Sequence, residues 1–111
     1  MHIVMVKKRL RDGSECKKCA QVTQLLQQRG YWDRIQEVVW ADERDAASSG
    51  MQLANTHRIT TAPFFIVQGP DRETVYTSAL QFMRDCFQHT PSRLEQLAEE
   101  ARTNSERAGL P

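Results

Sequence analysis

The spacing of apolar positions divides the first part of the chain into three elements. His2–Val6 and Ile35–Trp40 are short runs of mainly β-branched and other apolar residues, and such runs predict buried strands. Between them, the apolar residues of Glu15–Arg29 recur at the spacing of one helical face, and Gly30 predicts the end of that helix. The chain is therefore predicted to begin with a β-α-β unit.

A second unit follows with a different pattern. A helix is predicted from Asp45, and Gly50 lowers the helix propensity near its middle. Phe64–Val67 is apolar at every position, which is typical of a central strand covered on both faces. A turn then leads into Thr74–Tyr76, so these two strands are predicted to form an antiparallel hairpin. Ser78 is expected to cap a third helix.

The last helix is predicted to start at Thr90 and Pro91, and fraying is expected after Asn104. Its apolar residues share one side and are expected to pack on the sheet: Leu94, Leu97, Ala98 and Ala101. The order β-α-β-α-β-β-α plus one helix predicts an α/β fold with a mixed four-stranded sheet and helices on both faces. Residues 1–90 are expected to form this domain, with 91–111 as a C-terminal helix and tail packed on it.

Composition excludes several classes of protein. With 40% hydrophobic and 26% charged residues, the chain can build a core, so it is neither disordered nor collagen-like. Its longest apolar stretches are far shorter than the roughly 20 residues of a membrane-spanning helix. At the start, the apolar run precedes the charges, the reverse of a secretory signal. We therefore expect a cytoplasmic protein that does not act at a membrane.

The net charge of +1 is unevenly distributed. Residues 1–19 contain six basic and two acidic residues, a balance of +4, whereas the rest contains nine basic and twelve acidic residues, a balance of −3. The basic residues lack interleaved aromatics and the pI is only 7.8, which argues against nucleic-acid binding. The positive N-terminal segment instead favours an acidic protein partner or an anionic thiol such as glutathione.

The chain has three cysteines, an odd number that does not suggest a disulfide framework. Cys16 and Cys19 flank two lysines at the predicted start of the first helix. A disulfide between positions one helical turn apart closes a small ring and cross-links nothing distant, so it constrains little of the unfolded chain. Such a pair is better suited to reversible oxidation than to structural stabilisation.

The position of the pair in the helix predicts different roles for the two thiols. Cys16 is predicted in the first turn, where unpaired N–H groups and the helix dipole favour an anion. Lys17 and Lys18 add positive charge, so the pKa of Cys16 is expected to be lowered. Cys19 lies one turn deeper on the apolar face and is expected to keep a higher pKa. Cys16 is therefore predicted to attack a substrate disulfide, and Cys19 to resolve the mixed disulfide.

Two other functions are compatible with the same residues. The pair could carry a metal ion or bridge an iron–sulfur cluster, but zinc requires four ligands, and Cys86, His57 and His89 are not at a matching short spacing. Alternatively, the domain could be a redox-inactive interaction module that uses its last helix for docking. No metal site is assigned from the sequence.

Thr61-Ala62-Pro63 directly precedes the apolar strand, and a proline is tolerated at the first residue of a strand. A cis bond before Pro63 would turn the N–H and C=O of Ala62 outward, toward an extended thiol-bearing peptide. The alternative is that the peptide bond before Pro63 is trans and that the proline only begins the strand.

Taken together, a strand, Cys16-Lys17-Lys18-Cys19 at a helix start, and Ile59–Val67 before a hairpin resemble the thioredoxin fold. The opening β-α-β order resembles the glutaredoxin branch, and the resemblance covers roughly residues 1–90. It implies thiol–disulfide oxidoreductase activity, a cis bond at Pro63 beside the cysteine pair, and binding of substrate backbone at Ala62.

The chain departs from glutaredoxins after the hairpin. They carry a Gly-Gly-x-Asp segment that holds the γ-glutamyl end of glutathione, whereas this chain has Thr77-Ser78-Ala79-Leu80. The capped helix start at Ser78 is expected to receive a carboxylate in its place. No tightly bound cofactor is expected; glutathione is a candidate reductant, and the substrate is a protein disulfide or a glutathione mixed disulfide. The residues predicted to bind it are Lys17, Lys18, Thr61, Ala62, Pro63 and Ser78.

Overall fold

The structure is a computed structural model that describes residues 1–107, with side chains described up to residue 104. Four strands and four helices are formed within these residues, together with a single 3-10 turn at Trp32–Arg34. In chain order they are β1 (His2–Arg9), α1 (Lys17–Gln28), β2 (Glu37–Asp42), α2 (Ser49–His57), β3 (Phe64–Gln68), β4 (Glu73–Tyr76), α3 (Ala79–Phe87) and α4 (Arg93–Arg107).

The strands form one mixed sheet in the order β2-β1-β3-β4. β1 runs parallel to β2, with Met5 opposite Val38, and antiparallel to β3, with Met5 opposite Phe65. β3 and β4 form the expected antiparallel hairpin, with Ile66 opposite Val75. The predicted α/β class with a mixed four-stranded sheet is therefore confirmed.

Helices cover both faces of the sheet because the central strands are apolar on both sides. On one face, Ile3, Met5 and Phe65 pack against α1 and α3. The Phe65 ring stacks on Phe82 of α3 at a centroid distance of 4.0 Å. On the other face, α2 packs against a second apolar cluster of Val4, Val6, Ala41, Phe64 and Ile66.

The second helix begins at Ser49, four residues later than predicted. The Asp45 side chain accepts a hydrogen bond from Ala47 N–H, and this local bond favours a turn over a helix. Gly50 lies in the first turn of α2 and not in its middle, and it is buried against β2. A Cβ atom at position 50 would lie 2.2 Å from the backbone N of Ala41. The glycine therefore permits close packing of helix on strand.

The last helix begins at Arg93, not at Pro91. Ser92 and Glu95 form a reciprocal cap, in which Ser92 Oγ accepts from Glu95 N–H and Glu95 Oε1 accepts from Ser92 N–H. The apolar stripe does not pack on the sheet: Leu94 is 79% and Leu97 is 45% exposed. That expectation was wrong, because α4 turns a polar side inward.

The expected fraying after Asn104 falls at the limit of the described chain. The backbone remains helical to Arg107, and residues 108–111 lie outside the described residues. Within residues 1–107, no helix combines the length and the apolar character needed to cross a membrane.

Candidate active site

The backbone at the end of β1 holds the cysteine pair in position. Cys16 N–H donates to the Lys8 carbonyl at 2.9 Å, and Lys8 N–H donates to Cys19 Sγ at 3.3 Å. A tight turn lies between strand and helix, closed by a hydrogen bond from Leu10 N–H to the Ser14 carbonyl at 2.7 Å. Both cysteines are thus attached to one residue of the central strand.

Cys16 is the N-cap residue of α1, which begins at Lys17. The helix starts two residues later than predicted because Glu15 pairs with Arg9 in an isolated antiparallel bridge. Cys16 remains at the amino end of the helix, where the unpaired N–H groups favour an anionic sulfur.

The pKa of Cys16 is lowered to about 5, so the thiolate predominates at neutral pH. The largest cause is the hydrogen bond from the Cys19 thiol, since the two residues approach to 3.8 Å. The backbone N–H groups of Cys19 and Lys18 and the charge of Lys18 add to the effect, while burial opposes it. Lys17, the other lysine of the motif, is exposed.

Cys19 has the opposite character. It is fully buried, and its pKa is raised because its thiol donates to Cys16 and because burial penalises the thiolate. The carboxylate of Glu15 adds to this increase. One sulfur of the pair is therefore anionic and the other retains its proton.

A buried ion pair lies close to the cysteines and was not foreseen from the sequence. Lys7 is only 5% exposed, and its Nζ lies 2.6 Å from Glu15 Oε2. The ammonium also lies 4.9 Å from the ring centroid of Trp40. The Arg9 guanidinium carbon lies 4.1 Å from the centroid of the same ring. Lys7 is one of the six basic residues of the positive N-terminal segment, but it does not contribute to a basic surface, because its position in β1 turns it toward the interior.

The loop before β3 lies against the cysteine pair. Ala62 packs in a small buried cluster with Cys16, Cys19 and Leu10, and the Ala62–Pro63 peptide bond is cis. Ala62 is buried, yet within residues 1–107 neither its N–H nor its C=O makes a hydrogen bond to another backbone group. Buried backbone groups are almost always paired, so these two are available to a ligand.

A small cavity of about 40 Å³ opens beside this loop. It brings together four of the residues predicted to bind substrate, Lys18, Thr61, Ala62 and Pro63, but neither Lys17 nor Ser78 lines it. The remaining lining residues come from α1, from the start of α3 and from α4: Val22, Thr77, Ala79, Glu99, Arg102 and Thr103. The contribution of α4 was missed in the sequence.

Ser78 caps α3 as predicted, with its Oγ accepting from Gln81 N–H at 3.1 Å. The carboxylate expected at this helix start is present, but it belongs to the chain itself. Glu99 of α4 accepts from Ser78 Oγ at 2.9 Å through Oε2 and from Leu80 N–H at 3.1 Å through Oε1. Ser78 is therefore hydrogen-bonded to α4, and its role in substrate binding stays a prediction.

The additional metal-ligand candidates do not converge on the pair. Cys86 packs at the edge of the cluster formed with α3, while His57 and His89 each lie against a glutamate. Within the described residues, no group of three or more His, Cys, Asp or Glu side chains is arranged to hold a metal ion. A metal carried by Cys16 and Cys19 would therefore need ligands beyond those that the described chain brings together.

Comparison of the chain with protein-family models, with curated proteins and with solved structures finds no match in any of the three.

Proposed function

We propose that this protein is a thiol–disulfide oxidoreductase of the thioredoxin-fold class, related to glutaredoxins. The observation that carries the proposal is the pair of adjacent thiols with opposite pKa shifts, Cys16 lowered and Cys19 raised. Such an asymmetry is what a nucleophile and a resolving thiol require.

The arrangement of the elements supports the same assignment. The pair begins the helix that follows the first strand, the sheet order is β2-β1-β3-β4, and the proline loop before β3 packs on the pair. All three cysteines are free thiols, in keeping with the reducing cytoplasm that we propose as the location.

In the proposed reaction, the Cys16 thiolate attacks one sulfur of a substrate disulfide. A Cys16–substrate bond forms, the substrate S–S bond breaks, and the departing thiolate takes up a proton. Cys19 then loses its proton and attacks Cys16 Sγ, which releases the second substrate thiolate and leaves a Cys16–Cys19 disulfide. Two electrons pass to the substrate, and an external thiol, glutathione or a protein dithiol, must restore the reduced pair.

Substrate binding is proposed to use backbone and charge. The unpaired N–H and C=O of Ala62 would pair with an extended segment next to the substrate cysteine. The cation of Lys18 lines the adjoining cavity and favours an acidic partner.

A redox titration tests the proposal. Metal-free protein is equilibrated in graded glutathione buffers, free thiols are alkylated, and the modified cysteines are counted by intact mass. We expect Cys16 and Cys19 to oxidise together as a two-electron couple between roughly −270 and −180 mV. The matched variant Cys86→Ser should give the same curve, and Cys16→Ser should abolish it.

Absence of a Cys16–Cys19 disulfide at every potential would refute the oxidoreductase assignment. Iron or zinc stoichiometric with the purified chain would then support the alternative of a metal or cluster carrier.

A further inference from the structure

Helix α4 is attached to the domain through carboxylates on its inward side. Near its start, Glu95 accepts hydrogen bonds from Arg29 Nε at 3.0 Å and lies 3.1 Å from His89 Nε2. One turn later, Glu99 spans Ser78 and Leu80 at the start of α3. The inward side of α4 then continues with Arg102, which lines the cavity beside Ala62 and Pro63.

Glu99 occupies the position where an anionic ligand would bind most favourably. The first turn of a helix offers unpaired N–H groups to an anion, but here Leu80 N–H is bonded to Glu99 and Gln81 N–H to Ser78. A second carboxylate at this helix start would find those two N–H groups already occupied, and the negative charge of Glu99 would repel it.

The cavity between α4 and the Ala62–Pro63 loop is also small. The cavity volume of about 40 Å³ corresponds to a few water molecules, since one water requires roughly 10–15 Å³ of such volume. Glutathione is a tripeptide with two carboxylates and is much larger than this cavity. By contrast, the backbone groups of Ala62 need only an extended strand laid along the loop.

We propose that Glu99, by holding α4 over the start of α3, makes the site selective for disulfides carried on polypeptides over glutathione disulfide. Glu99 is a specificity-determining residue and does not touch the reacting sulfurs. This inference rests on the proposed function, because it concerns which disulfide reaches Cys16.

The test follows one bond-forming step at Cys16. In a Cys19→Ser, Cys86→Ser background, the Cys16 thiolate attacks a disulfide probe, one S–S bond forms, one breaks, and a thiolate is released. Three probes are compared by intact mass: glutathione disulfide, bis(2-hydroxyethyl) disulfide, and a neutral ten-residue peptide joined through its cysteine to 2-mercaptoethanol.

We expect Glu99→Ala to raise the rate with glutathione disulfide about tenfold, the effect of removing one charge-assisted anchor, and to change the rate with the small neutral disulfide less than about twofold. Glu100→Ala is the matched control, because Glu100 is the exposed neighbour on the same helix. Glu99→Gln preserves the shape of the side chain, and we expect it to give a smaller increase in the same direction.

Equal rates with glutathione disulfide for Glu99→Ala and Glu100→Ala would overturn the inference. So would a parent protein that reacts with glutathione disulfide as fast as with the peptide probe. Both outcomes leave the oxidoreductase assignment intact. Failure of Cys16 to react with any probe would overturn the proposed function itself, and the selectivity with it.

Discussion

At the scale of single residues, the anionic state of Cys16 arises from its neighbours and not from exposure. The Cys19 thiol makes the largest contribution to its lowered pKa, and Lys18 contributes through its charge. Lys17 is exposed on the other side of the motif. The two lysines are therefore expected to differ in their effect on the reactivity of Cys16.

The rate of Cys16 alkylation by iodoacetamide, measured against pH in a Cys86→Ser background, should reach half its maximum near pH 5. Cys19→Ala should move this midpoint upward most, because it removes the hydrogen bond to the sulfur. Lys18→Met should raise it less, and Lys17→Met should leave it unchanged. A midpoint in the ordinary thiol range, near 8.5, would contradict the assignment of Cys16 as a preformed thiolate.

The burial of the Lys7–Glu15 pair could not be predicted from the sequence around either residue. Lys7 follows the alternation of Ile3 and Met5, which directs it to the same buried face, but a lysine at a strand end is more often exposed. Its burial depends on Glu15, which lies beyond the turn. The alternation of residues within β1 carries no information about Glu15, because that partner belongs to another segment of the chain.

At the scale of elements, the apolar pattern was sufficient to identify every strand and the presence of every helix. For the strands and for α1, α2 and α3 this succeeded because each of these elements buries an apolar face, and the spacing of its apolar residues identifies that face. The apolar stripe of α4 indicated a helix correctly but is exposed in the structure. Helix starts were less predictable. Asp45 uses its side chain in a turn, and Ser92 replaces Thr90 as the cap, both through hydrogen bonds that composition alone does not distinguish.

The contact of α2 with β2 gives a prediction at this scale. Gly50→Ala should lower the free energy of unfolding by about 1–3 kcal/mol, because the added methyl group would press against the backbone of Trp40 and Ala41. The better helix propensity of alanine, about 1 kcal/mol, offsets this only in part.

Urea unfolding measures the effect, and Gly69→Ala is the matched control. At position 69 the nearest atom to an added Cβ is the Arg72 carbonyl oxygen at 3.5 Å, an ordinary contact. Equal unfolding free energies for the two variants would show that α2 does not pack as closely on β2 as described.

At the scale of the whole molecule, α4 is attached through polar contacts between distant segments. Its inward positions, Glu95, Glu99 and Arg102, recur at helical spacing, and this polar stripe was the available signal. The sequence interpretation followed the apolar stripe instead. Which face of α4 packs inward depends on Arg29, His89 and Ser78, and these partners become neighbours only when the chain has folded.

Acid should weaken this attachment. Burial alone would raise the pKa of Glu95, but hydrogen bonds from Ser92 N–H, His89 and Arg29 lower it to about 2. Since the folded pKa lies below the ordinary value of about 4.3, the stabilisation is complete above that value and is lost as the pH falls toward 2. Amide hydrogen exchange in α4, corrected for intrinsic rates, should therefore accelerate in this interval before that of α1.

Glu95→Gln provides the control for this prediction. The amide side chain has no charge to lose, so the variant should show faster exchange in α4 already at neutral pH and little further change on acidification. An acid response in α4 that is the same in the variant and the parent would mean that another group governs the attachment.

The hydrogen bonds that hold the two thiols in register come from the main chain of Lys8. Main-chain groups are common to almost all residue types, and proline alone lacks the N–H. The side chain at position 8 can therefore drift during evolution, or be redesigned to suit a partner of opposite charge, while the sulfur atoms stay in place. Position 8 therefore contributes its main chain to the placement of the two sulfur atoms, and the identity of its side chain is independent of that role.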